Sequence, residues 1–488
     1  MNPELSKMKS RGILSAASLL FQSSYSAILG FAAFFILTLQ SSTALLGIYA
    51  TVLASMSFFN YITNLGLGAA LLQKKETRDL DLNTAFYIQL ALVTVAVIGG
   101  AIFGERIVSS YRDVPPDTIY LYWALLVSLF LLSLKSIPSI LLEKKVEIYK
   151  NVFVSSVENT VFYLIIIVMV LAGQTITALI AAVIVRAVIG SVLIYVMSPW
   201  MPRLMFSWSS AKELLAYGIP FQGNSFLALV KDDLIVLYLG QTLGPGTLGV
   251  LMFAKKYAEM AVRLITDNLN RVIFPILARV QDDKDLLSKS LMRSILYNCL
   301  IVFPIIIGAM FVFESFLRLV DGYYEKWNTA IFSFYFFSLS TLFVSLTTPF
   351  INLFNATRHL KKSIGFMILW TTLMWILIPA GTAVYGYNAV GVVFFLISLT
   401  VFLVIWQAKT ILSFQLFRTL QGVLIACAAM TLYLAAVKYL SLSIFNSPLL
   451  QVLLSVTGAP AVYGGIILWY YGTRLFRDVL HTLRPPAS

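Results

Sequence analysis

Within one apolar stretch of this chain, FAKKYAEMAVRLITDNLNRV (253–272), five charged residues stand four apart: Lys255, Glu259, Arg263, Asp267 and Arg271. A step of four turns a helix by about 400°, so the five form one slowly drifting stripe of alternating sign. On a soluble helix such a stripe is an ordinary solvated face. In so apolar a segment it is either the wall of a water-lined cavity or an ion-paired seam. The number of charges on one helix favours the cavity. Neighbouring apolar runs add Lys231, Asp232 and Asp233 in one and Arg186 near the middle of another. Buried cations on a cavity wall suit an anionic group such as a pyrophosphate, whose lost hydration they replace. Arg263 lies near mid-depth, and its planar fork can engage phosphate oxygens in pairs. Lys135 and Glu158 lie equally far from the loop joining their two runs. Hairpin geometry sets them level, as a structural salt bridge.

Other chemistry is hard to place. There is no Walker-type glycine loop and no HExxH; of the two histidines, His359 lies in a short polar segment and His481 in the tail. Both cysteines, Cys299 and Cys427, lie inside apolar runs, which supports neither a disulfide framework nor a Cys/His metal site. No catalytic residue, metal or cofactor is expected, and the chain reads as a non-enzyme.

The elements that must carry these charges are membrane spans. Of 488 residues, 59% are hydrophobic and 12% charged, and the mean hydropathy is +0.87. A soluble domain carries about 25% charged residues. Apolar runs fall at 13–39, 43–70, 82–104, 118–141, 151–172, 176–198, 213–239, 247–275, 287–312, 329–353, 363–384, 388–407, 419–440 and 448–472, each near the roughly 20 residues a span requires. The expectation is an all-α membrane protein of about fourteen transmembrane helices. The basic N-terminus leads into a long run with no small-residue cleavage signature, which reads as a retained first span.

Charge sets the orientation. With the N-terminus inside, 22 basic residues fall in cytoplasmic segments, among them Lys74, Lys75, Lys144, Lys145, Arg358 and Lys361, against Arg106, Arg112, Arg318 and Lys326 outside. The positive-inside rule then places both termini in the cytoplasm. The same distribution assigns the net charge of +13 to topology and anionic lipid headgroups, not to nucleic acid. Trp200, Trp208, Tyr323, Tyr324, Trp327 and Trp469, near run ends, read as interface anchors.

An internal repeat organises the runs. Leu20-Phe21-Gln22 in the first is echoed by Pro220-Phe221-Gln222 in the seventh, at an offset of 200; Leu46-Gly47-Ile48 opens the second as Leu248-Gly249-Val250 opens the eighth, at 202. Two six-helix bundles arranged as parallel repeats follow, 1–200 and 201–410, with a helix pair and tail at 411–488. Paired bundles enclose a central cavity where transporters place substrate.

LGIYATVLASMSFFNYITNLGLGAALLQKKE (46–76), IPFQGNSFLALVKDDLIVLYLGQTLGPGTLG (219–249), FPILARVQDDKDLLSKSLMRS (274–294), GYYEKWNTA (322–330) and LFNATRHLKK (353–362) together resemble the polysaccharide-export and Wzx-type oligosaccharide flippases. That family belongs to the superfamily of multidrug and toxin extrusion transporters and lipid II flippases. The resemblance covers about residues 10–410. It implies two six-helix lobes around a V-shaped cavity, and alternating-access transport of an undecaprenyl-pyrophosphate-linked oligosaccharide across the cytoplasmic membrane for surface polysaccharide synthesis. H+ or Na+ is the candidate coupling ion, and membrane lipids are the other partners. The first run carries Gln22, Ser23, Ser24 and Tyr25 but no charge, a departure from the lipid II branch. A cation-coupled drug extruder of the same fold is the alternative; its cavity would be acidic and aromatic, whereas Arg186, Lys231, Arg263 and Arg271 are basic. A membrane-embedded glycan ligase or polymerase would need a larger outer loop than 105–117 or 313–328 provides.

Overall fold

The computed structural model describes residues 3–74, 76–109, 115–441 and 447–483. Within the helices some side chains fall outside the description, including those of 261–265 and 267–272. The described residues separate into two compact units, Met1–Met252 and Phe253–Ser488.

The first unit is built from α1 (Pro3–Gln40), α2 (Thr43–Asn64), α3 (Leu67–Gln73), α4 (Asp79–Ser109), α5 (Thr118–Leu134), α6 (Ser136–Lys144), α7 (Ile148–Leu171), α8 (Thr175–Met197) and α9 (Trp208–Leu243). Helix α10 (Pro245–Arg279) begins here and continues into the second unit. There follow α11 (Lys284–Arg318), the short α12 (Tyr323–Trp327), α13 (Ala330–Ala356), α14 (Leu360–Tyr385), α15 (Asn388–Ser398), α16 (Val401–Lys409), α17 (Leu416–Leu440) and α18 (Pro448–Leu483). No strand occurs among the described residues, as lipid demands of any chain that does not close a barrel.

Among the described residues, eleven helices are long and apolar enough to cross a membrane, α5–α6 and α15–α16 each counting as one. The three other long helices are α2, α9 and α10. On α2 an apolar stretch covers Thr43–Phe59 among the described residues. Helix α9 carries Lys231, Asp232 and Asp233, and α10 carries the charged stripe. The charges that suggest function thus also dilute the hydropathy of the helices that hold them.

Several apolar runs break where the backbone must turn. At the end of α2, Leu65 and Gly66 both adopt left-handed geometry (φ 41° and 70°). Gly66 lies directly against the backbone of Gly218 on α9, where a Cβ would collide with the Gly218 carbonyl. Small residues allow this backbone-to-backbone approach. A second close crossing joins the first turns of α2 and α10: a Cβ on Gly47 would meet the Pro245 carbonyl, and one on Gly249 the Thr43 carbonyl.

In the first unit α1 lies along α7, α7 along α8, and α8 along α5. The α1–α7 seam is polar: Tyr25 Oη lies 3.0 Å from Thr160 Oγ1, and Asn159 donates to Ser26 Oγ at 3.2 Å. Helix α9 packs on α2, α3 and α4.

In the second unit α17 and α18 pack on each other and on α11. Buried Gln451 of α18 accepts from Ser315 (2.5 Å) and Ser441 (3.3 Å) and donates to the Phe311 carbonyl (3.2 Å). An aromatic cluster fixes α12: Trp327 stacks on Phe253 at 4.0 Å, and Tyr323 meets the same ring edge-on at 5.9 Å. Trp327 and Tyr323 are buried, so the interface-anchor reading fails for them. Their short helix folds back onto α10 and finds aromatic partners there. Trp208 and Trp469 are exposed, as anchors should be.

Candidate functional site

The hairpin α7–α8 brings the interior charges of the first unit together. Glu158 and Phe162 stand one turn apart on α7, and Gly190 and Arg186 one turn apart on α8. Antiparallel packing sets Glu158 beside Gly190, whose missing side chain is filled by the carboxylate. It also sets Arg186 over Phe162, 5.3 Å from the ring centre. Lys135, at the break between α5 and α6, reaches across to Glu158 with Nζ 2.6 Å from Oε1. The levelled pair expected from the sequence is therefore present. Glu158 is almost wholly enclosed, with 3% of its side chain accessible, against 25% for Lys135.

Among the described residues, no carboxylate lies at salt-bridge distance from Arg186. Its Nε is buried and has no hydrogen-bond partner among the described residues. Tyr163, next to Phe162 on α7, sets its hydroxyl against Gly30 of α1.

On α9, Lys231 pairs with the adjacent Asp232 at 2.6 Å; the lysine is mostly buried and the carboxylate half exposed. Asp233 follows on the same turn. On α10, Lys255 lies 3.8 Å from Glu259 one turn on, and its ammonium sits 4.7 Å from the Phe394 ring of α15. A cation over an aromatic face is worth about 2 kcal/mol when desolvated, which helps hold Lys255 inside. The side chains of Arg263, Asp267 and Arg271 lie outside the described residues, although their backbone continues α10. Thr266, between them, donates to Asn298 of α11 at 3.1 Å. Positions 263, 267 and 271 therefore sit roughly 60–140° around the helix from that α11-facing contact.

A second polar centre lies at the basic end of the first unit. Asp81, buried in the first turn of α4, accepts from Ser210 Oγ (2.5 Å), Lys74 Nζ (3.1 Å) and the Arg78 amide (3.1 Å). Lys74 also meets Glu213 at 2.8 Å. Burial pulls the Lys74 ammonium down, but its hydrogen bonds to Glu213 and Asp81 outweigh this and hold its pKa above the usual lysine value. Lys144 donates to the Lys74 carbonyl and to Thr77. This centre ties the start of α9 to the α3–α4 connection. Another network missed in the sequence joins Glu314 to Arg318 (2.9 Å) and Lys438 (3.3 Å), with Tyr324 3.1 Å from Arg318.

A helical chain with many apolar spans and buried ionisable groups within them has the make-up of a polytopic membrane transporter. The family model described as "Polysaccharide biosynthesis protein" matches residues 42–332, more than half of the chain, and the chain belongs to that family. It is 24% identical to the lipopolysaccharide biosynthesis protein WzxC of Escherichia coli (strain K12), over 72% of this chain and 71% of the relative. It is 20% identical to the succinoglycan biosynthesis transport protein ExoT of Rhizobium meliloti (strain 1021), over 70% and 67%. Among solved structures, the lipid II flippase MurJ in an inward closed conformation shares the fold. Its TM-score is 0.70 at 14% identity, with 96% of this chain and 100% of that one covered. An inward-facing multidrug resistance MATE family transporter of the MOP superfamily gives 0.55 at 14% identity, over 83% and 94%.

Proposed function

We propose that this protein flips a lipid-linked oligosaccharide, joined to its carrier through pyrophosphate, across the cytoplasmic membrane for cell-surface polysaccharide synthesis. The observation that carries the reading is the set of cations held inside membrane helices of a polysaccharide biosynthesis protein. A charge at bilayer depth costs at least about 2.5–3.5 kcal/mol to insert and marks a partner or a pathway. The relatives' described roles in lipopolysaccharide synthesis and succinoglycan transport agree with it. Fourteen spans, with α2, α9 and α10 added to the eleven apolar ones, cross the membrane in this proposal, with both termini cytoplasmic. Residues 1–200 and 201–410 act as the two lobes of an alternating-access cycle, with 411–488 appended. An H+ or Na+ gradient is the proposed driving force.

In this scheme Arg263 contacts the pyrophosphate, and Arg271 and Arg186 attract it. Lys231, Asp232, Asp233, Lys255, Glu259 and Asp267 complete the polar lining. The drug-extruder alternative would want a lining without buried cations, and Arg186, Lys231, Arg263 and Arg271 speak against it. The test is Arg263→Ala in a reconstituted flipping assay with lipid-linked oligosaccharide. Transport should be lost while folded protein remains near parental level, and Arg263→Lys should restore part of it. Full flipping by a stably folded Arg263→Ala protein would end the assignment.

A further inference from the structure

The connection between α8 and α9 turns large apolar side chains away from the first unit. Leu204 is 94% exposed and Trp208 78%, and Met201 and Phe206 are exposed with them. Single exposed apolar residues are ordinary, but a run of them within 201–208 makes a patch. Its aromatic end is continuous, with the Phe206 and Trp208 rings 5.7 Å apart.

The same segment is fixed from its other side. An extended chain sends alternate side chains to opposite faces, and Ser207 is extended (φ −132°, ψ 121°). Leu204, Phe206 and Trp208 alternate here with half-buried Met205 and Ser207. The inward face docks on the start of α4. The Arg203 amide donates to Asn83 Oδ1 at 2.6 Å and the Ser207 amide to Thr84 Oγ1 at 3.1 Å; Asn83 and Thr84 are both buried. The Trp200 ring meets Phe86 at 5.4 Å, so this tryptophan faces inward. Rolling the segment over to hide its apolar side would break both hydrogen bonds and strand two buried acceptors, which is costly.

The position of the patch indicates what covers it. Residues 198–207 lead directly from the end of α8, which is long and apolar enough to cross a membrane, into α9. The patch therefore lies where acyl chains give way to headgroups, the level at which tryptophan concentrates. Arg203 and Lys212 are exposed beside it. Arg203 meets Asp79 at 3.4 Å, but both side chains are largely exposed, so the guanidinium remains open to a further anion. Cations beside an apolar patch match an anionic headgroup above its own acyl chains.

We propose that residues 201–208 form a membrane-surface anchor: Met201, Leu204, Phe206 and Trp208 enter the boundary between headgroups and acyl chains, and Arg203 and Lys212 hold the phosphate of an anionic phospholipid there. The anchor requires only that α8 span a membrane; it depends neither on what the protein carries nor on which way it faces. The start of α9 is then held at one depth, by α4 on one side and by lipid on the other.

The test is fluorescence quenching on the full-length protein in lipid nanodiscs. A polarity-sensitive fluorophore is attached to Leu204→Cys and, separately, to Glu76→Cys, an exposed position in the polar α3–α4 connection; the native cysteines are buried. Phosphatidylcholine spin-labelled near the carbonyl end of its acyl chain should quench the label at 204 several-fold more than the label at 76, and aqueous iodide should show the reverse order. With Phe206→Ser and Trp208→Ser added, lipid quenching at 204 should fall by at least about half, as apolar insertion is lost. At low salt, spin-labelled phosphatidylglycerol should quench the 204 label at least about twofold more than the phosphatidylcholine form, through attraction of two cations to an anionic headgroup. Arg203→Gln/Lys212→Gln should abolish that preference. Strong iodide quenching at 204 would place the patch in water, and protection from both quenchers would place it under protein; either result overturns the anchor, as does lipid quenching unchanged by the two serines. Equal quenching by the two lipids, or a preference that survives the double glutamine variant, would overturn the headgroup site.

Discussion

The pair Lys135–Glu158 allows a sharp energetic prediction because its two members are unequally buried. Lys135→Met leaves Glu158 enclosed, 2% exposed as a residue, with Gly190 backbone on one side and no other cation at salt-bridge distance among the described residues. Breaking a buried pair from one side costs about 3–5 kcal/mol, a large share of the roughly 5–15 kcal/mol that holds a typical fold. The reverse change, Glu158→Gln, should cost less, about half as much. A quarter of the Lys135 side chain is accessible, and its flexible stem can carry the ammonium toward the polar break before α6. The double variant Lys135→Met/Glu158→Leu removes both charges and should lie within about 1.5 kcal/mol of the parent, since apolar replacement of a whole buried pair is often neutral. The assay is a double-mutant cycle on equilibrium unfolding in detergent micelles. Equal single-variant losses that simply add in the double variant would refute the reasoning, because the two charges would then be uncoupled.

Two further predictions follow from the orientation and from the second unit. A cysteine at Thr77 or Arg358 should resist an impermeant thiol reagent added to intact cells, if the connections 74–81, 143–150 and 354–362 are cytoplasmic; both native cysteines are buried, so background labelling should be low, and rapid labelling would reverse the layout. Trp327→Ala should cost about 3–5 kcal/mol through loss of its stack on Phe253, whereas Trp469→Ala, at an exposed site, should change the melting temperature little; equal effects would show that the aromatic cluster is not a packing centre.

The long apolar runs were legible because lipid allows few alternatives: each run of adequate length had to become a helix. What the runs could not show was where a helix breaks inside one. The left-handed turn at Leu65–Gly66 and the break at Lys135 lie inside runs that read as continuous in the sequence, 43–70 and 118–141. Lys135 and Glu158 could be matched in advance because a hairpin fixes depth by counting residues from its loop. No such count links Asp81 to Ser210, 129 residues apart, since that contact depends on α9 returning to pack on α3 and α4. The Phe162 ring under Arg186 was hidden for a different reason: one more aromatic in a span stands out only when the fold sets a guanidinium over it. The charged stripe on α10 was plain in the sequence. That clarity came from its spacing, which does not depend on tertiary contacts.

The crossing of α2 and α10 has a meaning for the origin of the chain. Thr43 and Gly47 correspond to Pro245 and Gly249 at the 202-residue offset, and the two contacts are reciprocal: Gly47 meets Pro245, and Gly249 meets Thr43. Reciprocity of this kind is the mark of an isologous interface, in which residue i of one copy touches j of the other and j touches i. Had the gene arisen by duplication of a half-length ancestor, that ancestor would have paired with itself through this spot. A single change at its one glycine would then have been felt twice. Fusion would then have separated the two copies, so that Thr43 and Pro245 could diverge in side chain while both still present a carbonyl to a glycine.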